Sequence, residues 1–239
     1  MNAKDEKAVE AALREFSAPL GERLLGAAIV GEAASPDYVP GRSPLSLALV
    51  VDEVTPRLLR ELRPAARRSR RRLRIDAPML FDPLYLQSAR DVFPIELLDM
   101  ADRHRLLQGD DAFADPEIDK PHMRLEVEEQ LRGKMLHLWH ASLATGGSRR
   151  LDRGLLVDTI GAFGPILRGL LYLADAERPA STEHLLAAVE KAYSVSLPAM
   201  GEISRAASSG GKVAADRTAS LLDAYIGEVR SLVRLVDTL

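Results

Sequence analysis

The side chains that could do chemistry gather at a few points along the 239 residues. Arginines stand at 57, 60, 63, 67, 68, 70, 71, 72 and 74, against the single acid Glu61, so this segment carries +8 while the rest of the chain carries −11. Guanidinium groups fork onto phosphate oxygens, so such a run would suit a nucleic acid or another anionic partner. The plainer reading is a solvated helix face followed by a basic loop. No aromatic residues interleave to stack on bases, so nucleic acid is not the expected partner. Arginine supplies 26 of the 32 basic residues, a bias that a GC-rich bacterial genome would also produce. His137 and His140, at i and i+3 on a helix, could hold a metal on one face, but no acid or histidine completes a known ligand spacing. A surface pair is the preferred reading. His104 is read as a structural hydrogen-bonding residue, and Glu128 with Arg132 as an ordinary i, i+4 ion pair.

Other chemistries drop out. Cysteine is absent, which excludes disulfides, thiolate zinc sites, iron–sulfur clusters and thiol nucleophiles. There is no Ser-His-Asp arrangement, no P-loop and no dinucleotide fingerprint. Hydrophobic residues at 46% and charged residues at 28% describe a folded chain with a sizeable core. No run of about 18 apolar residues stands out, and the opening MNAKDEKAVEAALREF is charged and amphipathic rather than a secretory signal. The expectation is a cytoplasmic protein with no membrane span.

The elements that position these residues fall into two halves. Val9, Leu13, Phe16, Leu20 and Leu24 recur at helical spacing over residues 4–25. Apolar runs at 25–31 and 45–51 read as buried strands on either side of a breaker-rich loop. Thr55 and Pro56 open a helix that carries Leu58, Leu59 and Leu62 inward, at least as far as Pro64. A strand is expected over 73–80, a short helix capped by Asp82, a third main strand over Val92–Met100, and an edge strand within 106–113. Beyond about residue 115 the pattern is helical only. Helices are expected at 124–144, with Leu131, Met135, Leu138 and Trp139 on the apolar face, then at 151–174 with a break at Gly161–Pro165. Others follow at 185–195 after the Ser181 cap, at 198–207, and, after a loop at 208–211, at 214–239 with an apolar stripe from Leu221 to Val236. The fold class is therefore α+β: an α/β domain with a small mixed sheet over 1–115, then an all-α helical bundle over 116–239.

Two stretches carry a family resemblance. GEAASPDYVPGRSPLSLALVV, residues 31–51, resembles the nucleotide-binding motif of the DNA polymerase β nucleotidyltransferase superfamily: a strand, Gly-Ser, a short loop, then Ser-Asp-x-Asp on a second strand. DVFPIELLDMADRHRLLQGDD, residues 91–111, resembles the strand that bears the third carboxylate, followed by its glycine-containing turn. The chain looks especially like the bacterial two-domain members that end in a helical bundle. In that pattern two aspartates at i and i+2 share one strand face. With the third carboxylate they hold paired magnesium ions for in-line attack on the α-phosphate.

The resemblance implies a nucleotide site at Gly31, Glu32, Arg42, Ser43 and Ser46, with Glu96 as the third carboxylate and catalytic residue. It implies magnesium as cofactor if transfer occurs. Asp37, in the same loop, is a candidate replacement ligand beside its plainer role as a turn residue. The departures fall on the decisive positions. Glu32 replaces the serine, and Pro44 and Ser46 replace both aspartates. Neutral groups make poor magnesium ligands. A carboxylate about 4 Å from a phosphate charge costs about 4 kcal/mol at an effective dielectric near 20, roughly a thousandfold in affinity, unless Arg42 offsets it. The first reading is a catalytically impaired nucleotidyltransferase-like protein, a pseudoenzyme that binds a nucleotide or a partner and self-associates through the bundle. The alternatives are an active magnesium-dependent nucleotidyltransferase with an altered metal site, and an anion- or nucleic-acid-binding protein that uses Arg57–Arg74.

Overall fold

The computed structural model of the chain describes residues 1–208 and 213–239; the loop expected at 208–211 lies, apart from Ser208, outside them. The chain divides into two compact units. One comprises Met1–Val92 and Asp99–Glu117, the other Phe93–Leu98 and Ile118–Leu239.

The first unit is built on a four-stranded mixed sheet in the order β3-β2-β1-β4. Strand β1 (Leu24–Val30) pairs antiparallel with β2 (Ser46–Val51) on one edge and with β4 (His104–Gly109) on the other. Strand β3 (Met79–Phe81) adds in parallel to β2. Both central strands are nearly continuous apolar runs because both faces are covered. Ala27, Ile29, Leu47, Leu49 and Val51 face helices α1 (Ala3–Leu20) and α2 (Pro56–Arg68), where Val9, Ala12, Phe16, Leu20, Leu58, Leu62 and Ala65 complete the core. Ala28, Val30, Ala48 and Val50 face the other way, onto Phe81 and Phe113, whose rings meet edge to face at 5.7 Å.

Local chemistry sets the helix ends. The Asn2 side chain caps α1 by accepting from the Asp5 N–H at 2.8 Å, and Thr55 caps α2 by accepting from the Leu58 N–H at 3.1 Å. Pro64 removes one backbone bond yet α2 runs on through it to Arg68. The strand expected over 73–80 is shorter than its apolar residues suggested. The chain first makes a π turn over Ser69–Leu73, then a left-handed residue at Arg74, and β3 begins only at Met79. Asp82 then caps α3 (Pro83–Ser88), accepting from the Tyr85 N–H at 2.8 Å and from the Val54 N–H at 3.1 Å.

The third main strand expected over Val92–Met100 is a helix, α4 (Pro94–Asp102). Proline suits a first helical turn, where its missing N–H costs nothing. Ile95 and Leu98 are buried one turn apart with Leu97 beside them, and that spacing outweighed the short apolar run. The sheet is completed instead by β4, the edge strand expected within 106–113, which begins two residues earlier at His104.

The second unit is helical: α5 (Lys120–Ala144), α6 (Arg149–Ile160), α7 (Gly164–Leu173), α8 (Thr182–Tyr193), α9 (Pro198–Ser208) and α10 (Thr218–Val236). The expected stripe on α10 is buried at Leu221, Leu222, Tyr225, Val229, Leu232 and Val236. Trp139, expected in the core face of α5, is 43% exposed, while Leu131, Met135 and Leu138 are buried as expected. Glu228 on α10 is buried and caps α9, its carboxylate accepting from the Ala199 and Met200 N–H groups at 2.7 and 2.8 Å. Contrary to the expectation of no membrane-length apolar run, Arg149–Leu173 is long and apolar enough to cross a membrane by length and hydropathy, although half of its most apolar window is buried in the protein. It also buries Arg168, whose guanidinium donates to the Pro179 and Ala180 carbonyls at 3.0 and 3.1 Å.

The β1–β4 pair depends on two glycines. A Cβ on Gly109, which sits at φ +74°, would lie 2.1 Å from the Leu25 carbonyl oxygen, and one on Gly26 would lie 2.3 Å from that of Asp110. Gly109→Ala is therefore expected to destabilise by at least about 1 kcal/mol, a fall in melting temperature of about 2–4 °C or more in a chain of this size. Thermal unfolding followed by circular dichroism checks it, and an unchanged midpoint would contradict the close approach.

Candidate functional site

The residues of the Gly31–Ser46 segment come together at one end of the sheet. Ser46 is paired across from Val30, so the end of β1 and the start of β2 lie side by side. Gly31 follows at φ +73°, a left-handed conformation that glycine adopts without strain. Its N–H donates to the Arg103 carbonyl at 2.8 Å, and a short 3₁₀ turn follows over Gly31–Ala34. Glu32 on that turn is exposed. The loop back to β2 is internally tied. The Ser35 hydroxyl donates to the Glu32 carbonyl at 3.1 Å and accepts from the Asp37 N–H at 3.2 Å, while the Ser43 hydroxyl accepts from the Val39 N–H at 3.0 Å. Arg42 is exposed beside it. Asp37 thus sits in a serine-initiated turn, which is the plainer of its two sequence readings.

His104 lies directly across β1 from this point, paired with Val30 on the β4 side. Its Nδ1 is 3.0 Å from both the Met100 and Ala101 carbonyl oxygens, and its Nε2 is 3.0 Å from a carboxylate oxygen of Asp111. Burial alone would lower its pKa. The Asp111 carboxylate and the two carbonyls outweigh that and hold it above the usual histidine value. This ion pair was half legible: His104 stood out in the sequence, but the turn that brings Asp111 back to it did not.

Where the resemblance implies two strand aspartates, Pro44 precedes β2 and Ser46 begins it, and β3, the parallel neighbour of β2, contributes only Met79, Leu80 and Phe81. Glu96 is not on the sheet at all. It is exposed on the first turn of α4, among the residues of the second unit. There it lies within hydrogen-bonding reach of Glu126 on α5. Glu126 accepts from the Ile95 N–H at 2.9 Å and so caps α4 from outside the helix. Burial pushes the Glu126 carboxyl up to about 7; Glu96 adds to this, while the Ile95 N–H and Gln130 oppose it. Sequence spacing gave no sign of this pair, because the two carboxylates are on different helices. His137 and His140 are exposed on α5, and Glu128 forms the expected ion pair with Arg132 at 3.0 Å. Among the described residues no group of three or more His, Asp or Glu side chains converges as a metal ion requires. This donor set does not fit magnesium.

No protein-family model matches the chain, and no curated protein matches it in sequence. Among solved structures it is similar to the spectinomycin adenyltransferase AAD(9) of Enterococcus faecialis, a structure that contains ATP and spectinomycin. The TM-score is 0.56 at 12% identity, covering 97% of this chain and 99% of that one. The chain has the fold of a nucleotidyltransferase. At that identity the likeness is one of fold.

The Glu96–Glu126 pair makes stability depend on pH in a defined direction. A carboxyl raised to about 7 favours the folded state fully below the ordinary glutamate value, and that contribution is lost as pH rises through about 7. Glu126→Gln keeps an acceptor for the Ile95 N–H and removes the ionisation. Its melting temperature should therefore gain on that of the parent protein between about pH 5 and pH 8. Parallel profiles for the two proteins would contradict the assignment.

Proposed function

We propose that this chain is a nucleotidyltransferase-like protein that has kept the nucleotide-binding framework of residues 31–46 and lost magnesium-dependent transfer. One observation carries the reading. In a nucleotidyltransferase fold, β2 begins at Ser46, Pro44 lies just ahead of it, and β3 beside it bears no carboxylate. In-line phosphoryl chemistry depends on metal ions that neutralise charge on both the attacking and the leaving oxygens. Two neutral residues offer such ions no anionic oxygen.

The remaining groups suit binding. The Ser43 and Ser46 hydroxyls donate to phosphate oxygens, and Arg42 supplies a guanidinium that offsets Glu32. Magnesium would be the cofactor only of an active variant of this site, and the residues present do not supply its ligands. ATP, which the similar enzyme was solved with, is the class of ligand carried over here; spectinomycin is not. A cytoplasmic setting and self-association through the second unit belong to the same proposal.

A thermal-shift titration with ATP, GTP, CTP and UTP, each with and without magnesium, tests this. At about 100 times its dissociation constant a ligand stabilises by about 2.7 kcal/mol. One nucleotide should stabilise the protein equally in magnesium and in chelator. Glu32→Ser should tighten that binding at least tenfold, by removing a carboxylate from beside the phosphates. No shift with any nucleotide, or a shift only with magnesium, would overturn the reading.

A further inference from the structure

The arginine segment is the largest concentration of charge in the molecule that the proposed nucleotide site leaves unused. Its folded form keeps the solvated helix face that its sequence suggests, and a π turn over Ser69–Leu73 stands where a basic loop was expected. On α2 and the following turn, Leu58, Leu62, Ala65 and Ser69 are buried at spacings of four, three and four residues. Arg60, Arg63, Arg67 and Arg71 recur at three, four and four residues on the opposite side, and all four are exposed. They form one row. Arg57, Arg68 and Arg70 are matched by Glu61, Glu15 and Asp76 at 2.9, 2.6 and 3.4 Å. Among the described residues no carboxylate lies within 4 Å of the four guanidiniums of the row, nor of Arg72 or Arg74.

The end of the row is anchored rather than loose. The buried Ser69 hydroxyl donates to the carbonyl of Ile75, itself fully buried, at 2.9 Å, and closes the turn that carries Arg70, Arg71 and Arg72. Against this turn lies a concavity of about 650 Å³ lined by Ala66, Arg67, Arg70, Arg71, Asp76 and Ala77. Its lining joins two small side chains to three guanidiniums, one of which, Arg70, is paired with Asp76, so Arg67 and Arg71 are the ones left for a phosphate group.

We propose that this face binds the phosphodiester backbone of a nucleic acid without reading its bases. A row of guanidiniums about one helical turn apart matches a repeating anion, and each guanidinium can fork onto one phosphate. No aromatic side chain stands in the segment, so the contacts are to backbone rather than stacked bases. The apolar side of α2 is used in the core, and Leu59 is the one large apolar side chain of the helix left exposed, too little for insertion into a membrane. The −11 carried by the rest of the chain is screened beyond about 10 Å at 0.1 M salt. The proposal is independent of the nucleotide site.

Fluorescence anisotropy with labelled DNA and RNA duplexes of two unrelated sequences tests it on the full chain. Binding should be alike for both sequences and should weaken steeply between about 50 and 200 mM salt. The variant Arg60→Gln/Arg63→Gln/Arg67→Gln/Arg71→Gln changes only exposed side chains, and its melting temperature verifies that it folds. It should bind at least tenfold more weakly at about 100 mM salt, with a log–log salt slope shallower by about 0.9 for each phosphate the variant no longer neutralises. No binding at the lowest salt, or binding unchanged in the variant, would overturn the proposal. So would equal displacement by polyglutamate, which would mark an acidic-protein surface, or displacement by micromolar inorganic triphosphate, which would mark a small-phosphate site.

Discussion

The first unit depends on the backbone pairing of β1 along both of its edges. One seven-residue strand meets β2 on one side and β4 on the other, and its side chains enter cores on both faces. Every buried N–H and C=O of such a strand must find a partner in the sheet. The register is therefore fixed by the ladder rather than by any one side chain. Where β4 leaves the sheet the two backbones come so close that only glycine fits at positions 26 and 109. That closure sets Val30 between Ser46 and His104, and it delivers Gly31 to the end of the sheet in the conformation a tight turn needs.

On this scaffold the chemistry is decided by charge. A nucleotidyltransferase sheet end must present several carboxylates, because magnesium is a hard cation that takes anionic oxygen. At this end of the sheet stand Pro44 and Ser46, with Glu32 directly after Gly31. The acids that could be mistaken for ligands serve the fold. Glu126 and Glu228 each cap the start of a neighbouring helix, Asp82 caps its own helix and ties down Val54, and Asp111 holds His104. Carboxylates that satisfy orphan N–H groups lower the cost of burying a helix end. Their work is structural, and the 31–46 loop keeps Arg42 and the Ser43 and Ser46 hydroxyls alongside the carboxylates of Glu32 and Asp37.

What the sequence disclosed follows from how local each feature is. The strands of the binding motif, the caps at Thr55, Asp82 and Ser181 and the buried stripe of α10 rest on spacings within one element, and they were legible. The assignment of Val92–Met100 to a strand failed because VFPIELLDM fits both periods, and only tertiary packing of Ile95 and Leu98 decides between them. Glu96 moved off the sheet with that helix, so its role as third metal ligand has no support in the geometry. The pairs Glu96–Glu126 and His104–Asp111 join separate elements, and no single-chain pattern encodes such meetings. The arginines were legible as a charge run. Their alignment opposite Leu58, Leu62, Ala65 and Ser69 follows from helical period, but the anchoring of the turn by Ser69 and Ile75 does not.

The proposed loss of transfer requires that this fold assemble no divalent-metal site. Electron paramagnetic resonance of manganese, titrated into protein with and without ATP, measures that directly, because bound manganese leaves the free-ion signal. The protein should lower the free signal no further than ATP alone does, and Glu96→Ala should change nothing. A stoichiometric manganese site that needs both protein and nucleotide, and that disappears in Glu96→Ala, would contradict it.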